Sequence, residues 1–276
     1  MSGMEFLTGP APVESAPVER LSDAEIWSEL IPRMGYMALL RNLRNFDQAG
    51  ISDEVAASVI ARLSSADEVA RSKQFPYRFL SAWKATDSVR WAPALERELQ
   101  LSVNNVPEFD GRTLVLVDTS GSMQSPVAGA RSQCQRWEVA GLFGAVVAAR
   151  AGKGADLAIY ATGVQRVDIP AGGSVLRFVE SMQRRVGSVG HGTNTWGAIR
   201  ECYDGHDRVV VLTDEQSHDS GRNPGAFMHF INLAGYQYGT APADGRTFAY
   251  GGFTDSMFGL LPVMEAGSAG RWPWQQ

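Results

Sequence analysis

Between residues 22 and about 105 the apolar positions recur at helical spacing. Met37, Leu40, Leu43 and Phe46 fall three apart, which places them on one face of a helix. Ser22 stands three residues before Glu25, a capping-box spacing that starts a helix. Ser52-Asp53-Glu54 starts another, with Val55, Val59, Ile60 and Leu63 as its apolar stripe. Ser65 starts a further one, and Pro76 suits the first turn of a helix carrying Tyr77, Phe79, Leu80 and Trp83. A last helix runs over about 93–103. Short helices joined by short turns predict stacked helical hairpins, without a strict repeat period.

The pattern changes at Gly111. Residues 113–117 form a mostly apolar run that ends in Asp118, as a strand buried on both faces does. Further strands are expected at 156–160, 208–212 and 230–233, the second of these followed closely by Asp214. Helices are expected at 137–150, 175–184, 195–202 and 256–265. Strands alternating with helices predict βαβ units and a parallel, doubly wound sheet. Pro10, Pro12 and Pro17 mark residues 1–20 as a flexible tail. The expected organisation is that tail, a helical segment over 21–107 and an α/β domain over 108–276.

Composition narrows the class without choosing a function. At 44% hydrophobic and 20% charged, the 276 residues suit a globular chain that buries its own core. No apolar run reaches 18 residues, so no membrane span is expected. The net charge of -5 announces no nucleic-acid partner, yet leaves room for a local basic face. Cys134 and Cys202 are too few for a disulfide scaffold and form no CxxC pair, which fits a reducing, cytoplasmic setting.

The candidate chemistry begins at Asp118-Thr119-Ser120-Gly121-Ser122, one carboxylate and two hydroxyls in a tight loop after a strand. Asp214 ends a second buried strand, and Thr193 adds a hydroxyl in the glycine-flanked loop 190–194. In an open α/β sheet such strand ends meet at the switch point, where ligands bind. Hard oxygen donors suit Mg²⁺ at about 2.1 Å, with Mn²⁺ or Ca²⁺ as alternatives. Taken alone, the DxSxS run is equally a β-turn in which Ser and Asp cap one another. His191 and His218 are expected as loop residues rather than ligands, and Glu215 as a solvated neighbour.

Asp118-x-Ser120-x-Ser122, followed by Thr193 and Asp214, resembles the metal-ion-dependent adhesion site of von Willebrand factor A domains. The resemblance implies a Rossmann-like, mostly parallel sheet flanked by helices. It also implies that Ser120, Ser122 and Thr193 bind the metal directly or through water. Asp118 and Asp214 would bind it directly or through water and orient the hydroxyls. A cation held largely by neutral hydroxyls seeks one more anionic ligand, such as a carboxylate on a protein partner.

The helical part sharpens the comparison. Residues 41–45 (Arg-Asn-Leu-Arg-Asn) and the stretch from Val69 to Lys84 resemble the TROVE module of Ro (SS-A) autoantigens and their bacterial relatives. So do residues 232–236, 239–242 and 251–255. Ro proteins close a ring of helical repeats with a von Willebrand A domain and bind small Y RNAs and the ends of misfolded RNAs. Residues 21–107 are too few for that ring, so the chain reads as a fragment or a reduced member, with a homo-oligomer as one way to replace the missing helices. Arg41, Arg44, Arg71, Lys73, Arg78 and Lys84 are the candidate RNA contacts, interleaved with Phe75, Tyr77, Phe79 and Trp83. Without the resemblance, the same residues describe amphipathic helices with solvated basic groups.

Two binding functions follow. The first is a non-catalytic, RNA-associated protein with a divalent-metal adhesion site, its RNA a small structured one of Y-RNA type. The second is a metal-dependent protein-interaction A domain that does not bind RNA. An enzyme is the weakest reading, because the sequence carries no nucleophile-elbow motif, Walker-type glycine loop or second metal cluster.

Overall fold

A computed structural model describes residues 21–86, 88–127, 134–168, 173–214, 216–235, 241, 244–254 and 256–272. The tail expected at 1–20 lies outside the described residues. Six helices come first: α1 (Asp23–Leu30), α2 (Tyr36–Ala49), α3 (Asp53–Leu63), α4 (Ala66–Ser72), α5 (Pro76–Ala85) and α6 (Ala92–Ser102). Their starts follow the side-chain caps. The Ser22 backbone N–H donates to Glu25 at 2.8 Å, and the Glu25 N–H donates back to the Ser22 hydroxyl. Ser52 and Ser65 accept from the backbones of Val55 and Glu68 in the same way.

The second half alternates strand and helix: β1 (Thr113–Asp118), α7 (Arg136–Ala149), β2 (Ala155–Tyr160), β3 (Val164–Arg166), α8 (Val175–Gln183), α9 (Thr195–Cys202), β4 (Arg208–Thr213), β5 (Phe227–Asn232), β6 (Thr247–Gly251) and α10 (Met257–Ser268). The strand order is β3-β2-β1-β4-β5-β6. Every pair is parallel except β2 with β3, which is antiparallel. The mostly parallel sheet flanked by helices is therefore present. It differs from expectation at its edges: β3 and β6 had no signal in the apolar pattern, and β5 begins three residues before the expected 230.

The sheet buries both faces because its strands alternate between two helical layers. Val115, Val117, Leu157, Ile159, Val210 and Leu212 face α7 and α10. Leu114, Leu116, Val209 and Val211 face α9 through Trp196, Ile199 and Cys202. α7 lies close to the sheet because position 144 is glycine: a Cβ there would sit 3.0 Å from Val117. The helical segment has no separate core. Leu39, Leu43, Phe46 and Phe79 belong to the same buried cluster as Phe143 and Phe258. The seam is aromatic, with Phe75 against Phe258 at 5.6 Å and Tyr77 edge-on to Phe253 at 5.1 Å. Among the described residues no helix is long and apolar enough to cross a membrane.

Candidate metal centre and nucleic-acid interface

The chain moves from β1 outward to β2 and β3, then returns to β4 on the other side of β1. The carboxyl ends of β1 and β4 therefore form the topological switch point. Asp118 ends β1 and Asp214 follows β4, so the two buried acids stand at one crevice. Asp118 is held at both oxygens: Oδ1 accepts from the Ser120 N–H and Oδ2 from the Thr213 hydroxyl, each at 2.8 Å. Burial pushes its carboxyl up to about 6, against the lowering effect of those hydrogen bonds. The Ser120 and Ser122 hydroxyls lie 3.3 Å apart.

The third donor arrives on its own loop. The Gly121 N–H donates to the His191 carbonyl, which joins the serine loop to the loop carrying Thr193. The Thr193 carbonyl accepts from the His218 N–H at 2.9 Å and from the Ser217 hydroxyl. Asp219 then grips the start of α9, accepting from the backbones of Trp196 and Gly197. Thr193 is buried, and its hydroxyl makes no hydrogen bond among the described residues. His191 and His218 are both exposed loop residues. Glu215 lies outside the described residues.

This donor set fits a hard divalent cation. Two buried carboxylates and the paired Ser120 and Ser122 hydroxyls stand at the switch point, and the Thr193 hydroxyl, without a partner among the described residues, lies on the loop joined to the serine loop. Among the described residues no group of three His, Cys, Asp or Glu side chains is placed to hold a metal. The hydroxyl loop depends on Gly190, whose φ is +101° and whose added Cβ would lie 2.7 Å from Thr162. Gly190→Ala is expected to cost about 1–3 kcal/mol of stability, measured by urea unfolding, because both the backbone and the space are wrong for a side chain.

One residue of the site was not legible from the motif. Arg136, the first residue of α7, donates from Nη1 to Asp214 Oδ2 at 3.1 Å and to the Ser122 carbonyl at 3.3 Å. A cation at a helix start opposes the helix dipole, which was the only available signal. Thr213 was hidden for a simpler reason, as an ordinary strand residue preceding the acid.

The six basic candidates do not form one surface. Arg41 and Arg44 on α2 and Arg78 on α5 line a single cleft of about 370 Å³, together with Asn45, Ser81 and Thr86. Arg41 and Arg44 are exposed and make no ion pair among the described residues. Lys84 points elsewhere. Its ammonium pairs with the nearly buried Glu138 of α7 at 2.6 Å, tying the helical segment to the α/β unit. Arg71 and Lys73 are exposed at the end of α4 and are not among the residues lining the cleft.

Comparison with known proteins agrees with this architecture. Residues 6–139 match the TROVE domain, a span that takes in α1 to α6 and β1 and ends in α7. The Ro (RSR) protein of Deinococcus radiodurans superposes with a TM-score of 0.69 over 95% of this chain, at 19% identity. Just under half of the chain is thus similar to TROVE sequence, and the fold resembles that of the Ro (RSR) protein. RNA-binding protein RO60 of Caenorhabditis elegans is 28% identical over 137 residues, 44% of this chain. Telomerase protein component 1 of Mus musculus is 40% identical over 72 residues, 25% of this chain. The chain spans only part of these relatives: 58% of the Deinococcus chain, 21% of RO60 and 3% of the telomerase component.

Proposed function

We propose that the chain is a non-catalytic, RNA-associated protein of Ro type, whose α2–α5 cleft takes RNA phosphates. The observation that carries this reading is the convergence of Arg41, Arg44 and Arg78 on one cleft. Guanidinium groups are suited to phosphate contact, being permanently charged and forked. The name of the RO60 relative supports the same partner class. The proposed RNA is a small structured one of Y-RNA type, in a cytoplasmic setting. A gel shift with such an RNA tests this. Retention well above that of an equally acidic control protein is expected, and retention equal to the control removes the RNA reading.

The α/β unit is proposed as a von Willebrand A-like domain that holds Mg²⁺ on Ser120, Ser122, Thr193, Asp118 and Asp214, directly or through water, with the two acids also orienting the hydroxyls. Mn²⁺ or Ca²⁺ are the alternatives. A bound cation would supply an open position for an acidic group on a protein partner. The convergence of the two serine hydroxyls favours this as a second activity, independent of RNA. Such a partner complex is lost in EDTA and with Asp118→Ala, whereas a complex that survives both is held elsewhere.

A further inference from the structure

α1 is a helix of eight residues, none of them buried. A helix that short is not stable alone in water and depends on packing of its apolar side chains. Trp27 turns inward, edge-on to Phe46 at 5.1 Å. Ile26 and Leu30 turn outward and are 42% and 46% exposed. Single exposed aliphatic side chains are ordinary on a protein surface, but a stripe of them along a short terminal helix marks a contact face.

The polar residues beside that stripe say what fits it. Asp23, Ile26, Leu30 and Arg33 follow one another at steps of three, four and three. This spacing puts them on one face, with the 3-10 turn Ile31–Arg33 carrying the line past the end of α1. All four are exposed, and the face reads acid, apolar, apolar, base. Turned end for end, the row is its own complement: the acid comes to the base, and Ile26 comes to Leu30. A two-fold axis performs that operation, whereas a parallel pairing would bring like charges together.

We propose that α1 is a dimerisation helix whose partner is α1 of a second copy of this chain, packed antiparallel about a two-fold axis. Ile26 then covers Leu30 of the partner subunit, and Asp23 pairs with Arg33 of the partner subunit, at both ends of the contact. The face is small, so the dimer is weak and reversible. It carries two α2–α5 clefts in one particle. The proposal stands apart from the RNA and metal readings and does not need either.

Sedimentation velocity of the intact chain over about 1–300 µM tests this, and a shift from monomer to dimer within that range is expected. Ile26→Glu/Leu30→Glu is expected to weaken the dimer about a hundredfold or more, because both apolar positions are lost from each copy. Asp23→Arg and Arg33→Asp each bring like charges together at both ends and are expected to weaken it about fivefold or more. The combined variant Asp23→Arg/Arg33→Asp restores opposite charges and is expected to dimerise within about twofold of the intact chain. Circular dichroism checks the fold of each variant. Restoration also separates pairing from fraying of the helix start, since the combined variant keeps the same change at Asp23. An intact chain that stays monomeric at the highest concentration overturns the proposal, as does an Ile26→Glu/Leu30→Glu chain that dimerises like the intact one. A combined variant no better than the single ones overturns the antiparallel arrangement.

Discussion

Glu265→Ala is expected to destabilise the protein by about 3–5 kcal/mol, the cost of stranding a buried charge. Glu265 on α10 takes both Nε and Nη2 of Arg208, whose side chain is 4% exposed. It also accepts from Nε2 of the buried His229 at 2.9 Å. Burial acts to raise the Glu265 carboxyl, but the hydrogen bonds from His229 and Arg208 outweigh it, and the group stays below its usual range. Burial holds His229 below its own usual value. A neutral His229 then donates through Nε2 to the carboxylate and accepts the Tyr250 hydroxyl at Nδ1, 2.8 Å away. This network fastens α10 and β6 to β4 and β5. Urea unfolding measures the loss, and a loss below about 1 kcal/mol would show that the network is not what holds α10 in place.

The second large effect has the opposite sign. Glu98 on α6 is fully buried, and neither carboxyl oxygen has a hydrogen-bond partner among the described residues. Its neighbour Tyr36 gives its hydroxyl to the Leu63 carbonyl. Burial pushes the Glu98 carboxyl up to about 9, with Tyr36 pulling it back only in part. The folded state therefore holds a proton that the unfolded chain releases near its ordinary 4.5. Stability is full below that pH and is lost as pH rises towards 9, by up to about 1.4 kcal/mol per unit. Glu98→Met keeps the length and the helix propensity and removes the titrating group. It is expected to raise stability by about 2–3 kcal/mol at pH 7, with the gain shrinking towards pH 5. Unfolding of both proteins across that range measures it, and a gain that does not depend on pH would contradict a protonated Glu98.

How much of this was legible in the sequence varies with the reach of each interaction. Residues 113–118 announced β1 because both faces are buried and Leu114 to Val117 are all apolar. β3 is Val-Gln-Arg on an antiparallel edge, too short and too polar for any pattern. β5 was found late because His229 interrupts its apolar run, and that histidine is buried only because Glu265 and Tyr250 meet it there. The acids Asp118 and Asp214 were legible because each sits at a strand end. Arg136 was not, since its pairing with Asp214 spans 78 residues. The basic candidates show the same limit. Arg71 to Lys84 are neighbours in sequence, yet of the basic residues in that stretch only Arg78 lines the cleft, and Lys84 is drawn to Glu138. Helix phase alone places Arg41 and Arg44, three apart on α2, along the same cleft.

Whether the α2–α5 cleft holds RNA phosphates is tested most directly by the salt dependence of binding to a small structured RNA. The intact chain is compared with Arg41→Gln/Arg44→Gln/Arg78→Gln. If the three guanidiniums meet phosphates, affinity at low salt drops by about tenfold or more. The slope of log K against log salt then flattens by about 2, at roughly 0.7–0.9 for each phosphate no longer neutralised. A folded variant that keeps the affinity and slope of the intact chain would contradict the assignment of the cleft to RNA.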